Sequence, residues 1–352
     1  MKVSRSPYNP VIEPKDVKPS RADFEVIGVF NPGVIRFRDE VVLLFRVAER
    51  PINTNQDLVL TGLYDVTKAD IVIKEFSRND TENDFSDPRL IIRPTETYLT
   101  SISHLRLARS TDGVNFEIED TPAVVPANVY ETFGIEDPRI SFIDGMYYIS
   151  YVAVSALGVT TCLASTKDFT SFTRHGVIFC PDNKDVVLFP ERINGRFYAL
   201  HRPVSHLFKK HEIWIAESPD LTCWGNHRFC LAPRTGFWDN AKLGAGTVPL
   251  KTEAGWLEVY HGADQDNRYC LGAVLTDTTQ PWKVLARTEK PIFEPQADYE
   301  IEGFFENVVF SCGLLCEEGR LKIYYGLADT SIGYAEIPLQ DVLKSLNLAD
   351  SI

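Results

Sequence analysis

Five short hairpins repeat along this chain, and this repeat restricts the fold more than any other feature of the sequence. Each hairpin consists of two β-branched or aromatic runs, joined by two residues that favour a tight turn. The turn pairs are Arg38-Asp39, Asp144-Gly145, Asn194-Gly195, Ala254-Gly255 and Glu318-Gly319. The predicted strands before these turns are 33–37, 138–143, 190–193, 247–251 and 312–316, and those after them are 41–45, 146–151, 196–200, 256–260 and 321–325.

Further strands follow each hairpin, and they carry a recurring pattern of Ala, Ser, Asp and aromatic residues, as in 107–116, 163–172 and 215–224. A repeat of roughly 50–65 residues is typical of propeller blades. A sandwich would not need the repeat, and a parallel sheet would need helices that this pattern does not predict. We therefore predict an all-β fold: a single five-bladed β-propeller catalytic domain over residues 1–352, with a short C-terminal helix at 339–346.

The composition excludes several classes of partner. A formal net charge of −13 argues against nucleic acid and against an anionic membrane surface. The chain has no apolar run long enough to span a membrane, and its N-terminus lacks the apolar stretch of a signal peptide, so we expect a cytoplasmic protein. The cysteines form no CxxC pair and no His or Cys cluster completes a site, so we expect no metal.

Polar residues recur at one position of the predicted blades. In a propeller the first strand of each blade lines the central channel, so residues just before it converge on one mouth of the channel, together with the ends of the second strands. The residues at these positions are Asn31, Glu136, Asp137, Lys184, Asp185, Lys242, Arg46, Arg50, His201, Arg202, Tyr260, His261 and Asp329.

Each of these residues has an ordinary alternative explanation. Asp137 precedes a proline and is suited to cap a turn, Arg46 and Arg50 are suited to a solvated surface, and His261 to a structural contact. Their recurrence at equivalent positions favours a functional site instead.

The balance of charges at this mouth favours one type of reaction. An inverting hydrolase needs a carboxylic acid and a second carboxylate that activates water. Inorganic phosphate is already an anionic nucleophile, so a phosphorylase needs an acid and cations that hold the phosphate. One strong acid candidate, Asp137, among several Arg and Lys residues therefore favours phosphorolysis.

The motifs resemble those of glycoside hydrolase family 130, the β-mannoside phosphorylases. The resemblance covers nearly the whole chain, and the matching segments are 31–33, 45–50, 103–105, 134–139, 184–185, 188–191, 201–203, 242–246, 260–262 and 328–330. It implies a five-bladed propeller and an inverting, single-displacement reaction. It also implies that Asp137 is the general acid and acts through a hydroxyl of the mannosyl ring.

The remaining site residues are assigned through the same resemblance. For phosphate they are Arg46 or Arg50, Arg202 and Lys242, with Tyr260 and His261 nearby; for the sugar they are Asn31, His104, Lys184, Asp185 and Asp329. One position departs from the family pattern, because Asp182 stands where many of these phosphorylases carry Arg. This departure puts a phosphate contact from that loop in doubt.

We predict phosphorolysis of β-1,2-mannobiose or β-1,2-oligomannosides, giving α-D-mannose 1-phosphate and mannose or a shortened oligosaccharide. The expected partners are a β-mannoside and phosphate, with phosphate as co-substrate and no cofactor, and the sequence is compatible with a homodimer. The alternatives are a β-1,4-mannooligosaccharide or mannosyl-glucose phosphorylase, a β-mannoside hydrolase on the same fold, and a non-catalytic carbohydrate-binding propeller. Loops 79–87 and 205–210 are expected to shape the acceptor side.

Overall fold

The fold was analysed in a computed structural model that describes residues 2–208 and 210–346. Strands dominate the described residues, which confirms the all-β prediction. The predicted C-terminal helix is confirmed as α2, whereas position 209 of the predicted acceptor loop and the ends of the predicted domain lie outside the described residues.

The first half of the chain contains strands of very different length. They are β1 (Ser4–Arg5), β2 (Phe24–Phe37), β3 (Glu40–Pro51), β4 (Leu58–Asp65), β5 (Asp70–Ser77), β6 (Leu90–Ile92), β7 (Thr97–Leu99), β8 (Ile102–Ser110), β9 (Glu117–Ile118), β10 (Gly134–Ile143), β11 (Met146–Ser155), β12 (Gly158–Thr166) and β13 (Thr173–Phe179). Two short 3-10 helices accompany them, at Pro14–Asp16 and Val129–Glu131.

The second half continues in the same manner and adds two α-helices, α1 (Asp298–Ile301) and α2 (Leu339–Ser345). Its strands are β14 (Asn183–Leu188), β15 (Phe197–Ser205), β16 (Lys210–His211), β17 (Ile213–Ser218), β18 (Gly225–Leu231), β19 (Lys242–Gly244), β20 (Leu250–Thr252), β21 (Gly255–Ala263), β22 (Tyr269–Thr276), β23 (Val284–Arg287), β24 (Val309–Glu317), β25 (Arg320–Leu327) and β26 (Ser331–Pro338).

These strands form five antiparallel units that follow one another along the chain. Unit one contains β2, β3, β8 and β9; unit two β10 to β13; unit three β14, β15, β17 and β18; unit four β19 to β23; and unit five β24, β25, β26 and β1. Units one and two share one sheet, but only a single parallel pair, Gly134 with Ser103, joins them. Each unit is thus a small antiparallel sheet of its own.

The N-terminal strand completes the last unit. Ser4 pairs with Glu336 and Arg5 with Ala335 on β26, so the fourth strand of unit five comes from the other end of the chain. The Arg5 guanidinium also holds the buried carboxylate of Glu300, with Nε 2.7 Å from Oε1. This contact ties the N-terminal segment to α1, the helix that precedes unit five.

The apolar core is divided into layers between successive units. Side chains of neighbouring units meet in each layer, and the fifth layer joins unit five back to unit one, so that every unit packs on two others. Representative pairs are Leu44 with Ile149, Leu163 with Leu188, Leu200 with Trp256, Leu271 with Ile323, and Tyr324 with Phe45.

The structure corrects the sequence-based strand boundaries in unit three. We predicted its first strand at 190–193, but the strand is Asn183–Leu188. Pro190 has no N–H to contribute to a ladder, and the last pairing before it is the hydrogen bond from Phe189 N to Tyr198 O. The residues that were expected to precede this strand therefore lie within it.

Unit one also carries an insertion between its second and third strands. The insertion contains two small hairpins, β4 with β5 and β6 with β7, where the sequence predicted only a polar loop at 79–87. Phe76, Ile91 and Tyr98 of the insertion pack against Phe133 and Val152 of unit two. No helix within the described ranges is long and apolar enough to cross a membrane.

Candidate active site

Three first strands carry the same irregularity at the same place. Asn31, Asp137 and Asp185 are extra residues in β2, β10 and β14, where the pairing register shifts by one, and their φ angles are 53°, 48° and 55°. Asn and Asp tolerate this left-handed conformation better than other non-glycine residues. A β-bulge redirects the side chain of the extra residue. The site residues therefore lie in bulges within the first strands, not before them as we expected.

The first cluster of the site surrounds Asp137, which is 5% exposed. Asn31 Nδ2 donates to Asp137 Oδ1 at 2.9 Å, and a guanidinium nitrogen of Arg46 lies 3.6 Å from the same oxygen. Arg46 also pairs with Glu136 at 2.8 Å and donates to Ser103 Oγ at 3.0 Å. We call these residues the acid cluster: Asn31, Arg46, Ser103, Glu136 and Asp137.

Asp329 adds a further carboxylate near the acid cluster. It lies in a turn where both Ala328 and Asp329 have positive φ angles, of 45° and 51°. Burial raises the pKa of Asp329 to about 6; the charge of Asp137 adds to this shift and Arg46 opposes it. Burial also raises the pKa of Glu136. The carboxylates are thus held in a confined space with a single close guanidinium, Arg46, among the described contacts.

Asp185 forms the centre of the second part of the site. Its carboxylate lies 3.3 Å from Arg139, 3.2 Å from Arg202 and 3.3 Å from His261 Nε2, and all four side chains are buried. Burial alone would raise the pKa of Asp185, but Arg202 and His261 hold it well below its usual range. The carboxylate is therefore ionised and fixes the cations around it.

Arg139 connects the two parts of the site. It donates to the backbone carbonyl of Asp137 at 3.0 Å and to Asp185 Oδ1 at 3.3 Å, and it also reaches the carbonyls of Ala245 and Gly246. One buried guanidinium thus spans units two, three and four. The position of the Asp137 bulge depends directly on that of Asp185.

Several basic residues lie near Asp185 and close enough to affect one another's pKa. Lys242 Nζ donates to Asn267 Oδ1 at 3.0 Å and lies 4.7 Å from the centre of the Tyr269 ring. Burial, together with the charges of Arg202 and Lys184, lowers the pKa of Lys242 to about 8. Burial and the same charges also lower the pKa of His211 to about 4. His211 is therefore neutral at ordinary pH, and we call Lys184, Arg202 and Lys242 the cation group.

His261 is neutral at ordinary pH. Burial lowers its pKa to about 4 against the opposing effect of Asp185. Its ring packs against Phe310, with 4.3 Å between the centroids, and its Nδ1 has no hydrogen-bond partner among the described residues. His261 can therefore donate or accept one further hydrogen bond at Nδ1, according to its tautomer.

Three of the predicted site residues, Arg50, Tyr260 and His104, lie outside the acid cluster and the cation group. Arg50 is 54% exposed and pairs with Glu25 at 2.7 Å, because it lies beyond Arg46 at the outer end of β3. Tyr260 is fully buried and donates to Asp239 at 2.8 Å. Side chains alternate along a strand, so Tyr260 and His261 point to opposite faces of β21.

His104 is separated from the acid cluster by the same alternation. It lies between Ser103 and Leu105 on β8 but faces away from Arg46; its Nε2 is 3.3 Å from the Arg106 guanidinium and its Nδ1 is 3.8 Å from Glu49. Burial lowers the pKa of His104 to about 3. Its surroundings are those of a structural histidine.

The structure adds residues to which the sequence analysis had given no role in the site. Glu136 and Arg139 belong to the motif 134–139 that drew attention to Asp137, but only the bulge in β10 brings Glu136 and Asp137 into the same cluster. Ser103 and His211 had no comparable signal, because each depends on a neighbouring strand. Asp182, the departure from the family pattern, accepts from Val159 N at 2.8 Å and pairs with His206 at 2.6 Å.

No group of three or more His, Cys, Asp or Glu residues within the described part of the chain is arranged to hold a metal ion. The site is instead divided between carboxylates with an amide, in the acid cluster, and cations around Asp185. A neutral sugar bound by the first and an anion bound by the second match this division.

The fold and this division of charge are those of a carbohydrate-active enzyme that also binds an anion. The model of glycoside hydrolase family 130, described as beta-1,4-mannooligosaccharide phosphorylase, matches residues 94–348. The chain belongs to this family, which confirms the resemblance seen in the sequence.

Individual relatives cover the chain more fully. A beta-1,2-mannobiose phosphorylase of Listeria innocua is 46% identical over 352 residues, which are 99% of each chain. A 1,2-beta-oligomannan phosphorylase of a Thermoanaerobacter species is 42% identical over 71% of this chain and 84% of its own. The solved structure of the Listeria innocua enzyme with beta-1,2-mannobiose superposes with a TM-score of 0.96, over 98% of this chain and 99% of the other.

We expect Gly244→Ala to disrupt the contacts of Asp185. A Cβ atom at position 244 would collide with Asp185 Oδ2 and the imidazole of His261, neither of which has room to move. Such overpacking costs about 1–3 kcal/mol of unfolding free energy, measurable by urea denaturation. The matched control is Gly225→Ala, where nothing lies within 4 Å of the added atom. Equal stabilities for the two variants would contradict this account.

Proposed function

We propose that this chain is an inverting phosphorylase acting on β-1,2-mannobiose and longer β-1,2-mannosides. The observation that carries the proposal is a buried carboxyl group, Asp137, paired with a separate cation group that includes Arg202 and Lys242. The similarity to the Listeria innocua and Thermoanaerobacter enzymes supports the 1,2 linkage.

Asp137 is the proposed proton donor to the departing sugar oxygen, directly or through a hydroxyl of the mannosyl ring. Its Oδ1 accepts from Asn31 and faces Arg46, so Oδ2 is the better position for the proton. Asn31 Oδ1 has no hydrogen-bond partner within residues 2–208 and 210–346 and can accept from a sugar hydroxyl. Asp329, in the turn beside the acid cluster, is the second proposed sugar contact.

The proposed nucleophile is inorganic phosphate, held by the cation group and by His261. One phosphate oxygen attacks the anomeric carbon from the face opposite the leaving oxygen, which takes the proton of Asp137, and α-D-mannose 1-phosphate results. Arg202 Nε, which has no hydrogen-bond partner in the described residues, can donate to another phosphate oxygen. His261 Nδ1 also has no such partner, and it can accept from a phosphate hydroxyl while Nε2 donates to Asp185. We propose that the reaction needs no cofactor, with phosphate as co-substrate.

One observation favours a second candidate, a β-mannoside hydrolase. Glu136 and Asp329 lie near Asp137, and a second carboxylate is what an inverting hydrolase uses to activate water. Glu136, however, is paired with Arg46 at 2.8 Å, and the cation group would then have no anion to bind.

We further propose that the five units are the blades of a five-bladed propeller and that the chain is one catalytic domain. The apolar layers between all successive units, including units five and one, support this arrangement. Contacts of β2 with both β10 and β24 also support it, because first strands meet around the axis of a propeller.

The function is tested by phosphate dependence. We expect the purified protein to release mannose 1-phosphate from β-1,2-mannobiose in phosphate buffer and to leave mannobiose intact in a phosphate-free buffer. The products are separated by anion-exchange chromatography. Turnover to free mannose without phosphate would establish the hydrolase instead, and binding of mannobiose without any turnover would establish the binding module.

The role of Asp137 is tested by Asp137→Asn, which keeps the hydrogen-bonding shape but cannot donate the proton. We expect kcat to fall by about 100-fold to 10,000-fold, while mannobiose binding, measured by calorimetry, remains. Asp144→Asn, an exposed substitution in the next hairpin turn of the same unit, is the control and should leave kcat unchanged. A normal kcat in Asp137→Asn would show that another group is the acid.

The role of Lys242 predicts a pH dependence. Bound phosphate favours the charged amine, and the pKa of Lys242 is lowered to about 8. We therefore expect kcat/KM for phosphate to fall as pH rises from about 7.5 to about 9.5, where phosphate is already a dianion. Lys242→Met should lower kcat/KM about tenfold or more at the lower pH and flatten this decline. Lys251→Met, at an exposed lysine, is the control. An equally steep decline in Lys242→Met would exclude Lys242 as its source.

A further inference from the structure

A cavity of about 430 Å³ lies outside the acid cluster, between the outer end of unit one and its inserted hairpins. Its walls include Glu25, Arg50, Asn53, Arg78, Phe85 and Phe304. This volume lies within the usual range for small-ligand sites, which is about 300–1,000 Å³. None of these residues was given a role in the mechanism above.

Three of the four charged residues in this wall, Glu25, Arg50 and Asp87, are already paired, and the fourth, Arg78, lies over the Phe85 ring. Arg50 holds Glu25 at 2.7 Å, and Asp87, another residue of the wall, holds Arg89 at 2.6 Å and 2.9 Å. An anion such as phosphate would have to compete with these carboxylates. A neutral ligand rich in hydroxyl groups can instead hydrogen-bond to both partners of each pair and to the amide of Asn53.

The apolar part of the wall suits a sugar ring. Phe304 is 43% exposed although it is a large aromatic side chain. Phe85 lies under Arg78, whose guanidinium is 5.4 Å from the ring centre. Aromatic faces beside paired polar groups provide both kinds of contact that a pyranose needs, with its C–H faces and its hydroxyls.

The cavity is connected to the acid cluster through shared backbone. Phe304 N donates to Thr330 Oγ1 and Phe305 N to the carbonyl of Ala328, both at 3.0 Å, so the Phe304 segment is fixed to the turn that carries Asp329. Arg89 lies over the Phe305 ring at 5.3 Å, pairs with Asp87 of the cavity wall, and is close enough to Asp329 for that carboxylate to raise its pKa. The cavity is thus joined to the turn that carries Asp329 through both Phe304 and Arg89.

We propose that the cavity binds mannosyl units of the leaving group beyond the one next to the broken bond. The inference rests on the proposed function and assigns the inserted hairpins of unit one a role in the selection of chain length. It also assigns Arg50 to a neutral saccharide rather than to phosphate.

The test compares substrates of two lengths in matched variants. The measured quantity is the ratio of kcat/KM for β-1,2-mannotetraose to kcat/KM for β-1,2-mannobiose. We expect Phe304→Ala to lower this ratio about fivefold to tenfold, because it removes an aromatic contact available only to the longer chain. Phe229→Ala, which truncates a 51% exposed phenylalanine on β18 of unit three, is the control and should leave the ratio unchanged.

A second variant separates the two assignments of Arg50. Arg50→Gln should lower the same ratio and leave kcat/KM for phosphate unchanged. The inference is overturned if Phe304→Ala keeps the wild-type ratio, or if Arg50→Gln weakens only the use of phosphate. A wild-type protein that cleaves neither substrate in phosphate buffer would reject the proposed function itself, and the cavity assignment with it.

Discussion

The buried carboxylate of Asp185 organises the rest of the site. Two guanidinium groups and an imidazole converge on it from units two, three and four, and these side chains are removed from water. Replacing such a group with apolar residues often costs little stability, but removing one partner leaves uncompensated buried charge. The main effect of these contacts is therefore to fix the positions of the site residues rather than to stabilise the fold. Through Arg139, it sets the position of the bulge that presents Asp137.

The two halves of the site have different electrostatic environments, and each suits a different substrate. In the acid cluster, carboxylates share a confined space with Arg46, and burial raises the pKa of Asp329. In the cation group, mutual repulsion and burial lower the pKa of Lys242. In the proposed mechanism a phosphate dianion relieves this repulsion when it binds, so the arrangement of charges in the free protein contributes to its affinity.

The sequence predicted the repeated hairpins because strand alternation and turn residues are local signals. The bulges at Asn31, Asp137 and Asp185 were not predictable, since an extra residue in a strand looks the same in sequence as a regular one. The small hairpins of the insertion were missed because β6 and β7 have only three residues each and because β4 and β5 lie outside the repeated pattern. Family resemblance placed Tyr260 beside His261 in the site, but adjacent residues of a strand face opposite sides.

The pairing of β1 with β26 has a consequence for the synthesis of the chain. The last unit gains its fourth strand from residues 4 and 5, which are synthesised long before residues 335 and 336 and cannot pair until those residues are made. Until then two strand edges stay open, and open edges are sites of association with other chains. The pairing of β1 with β26 also joins residues that are very far apart in the sequence, and such contacts form slowly. The refolding yield should therefore depend on protein concentration more strongly than the stability of the folded protein does.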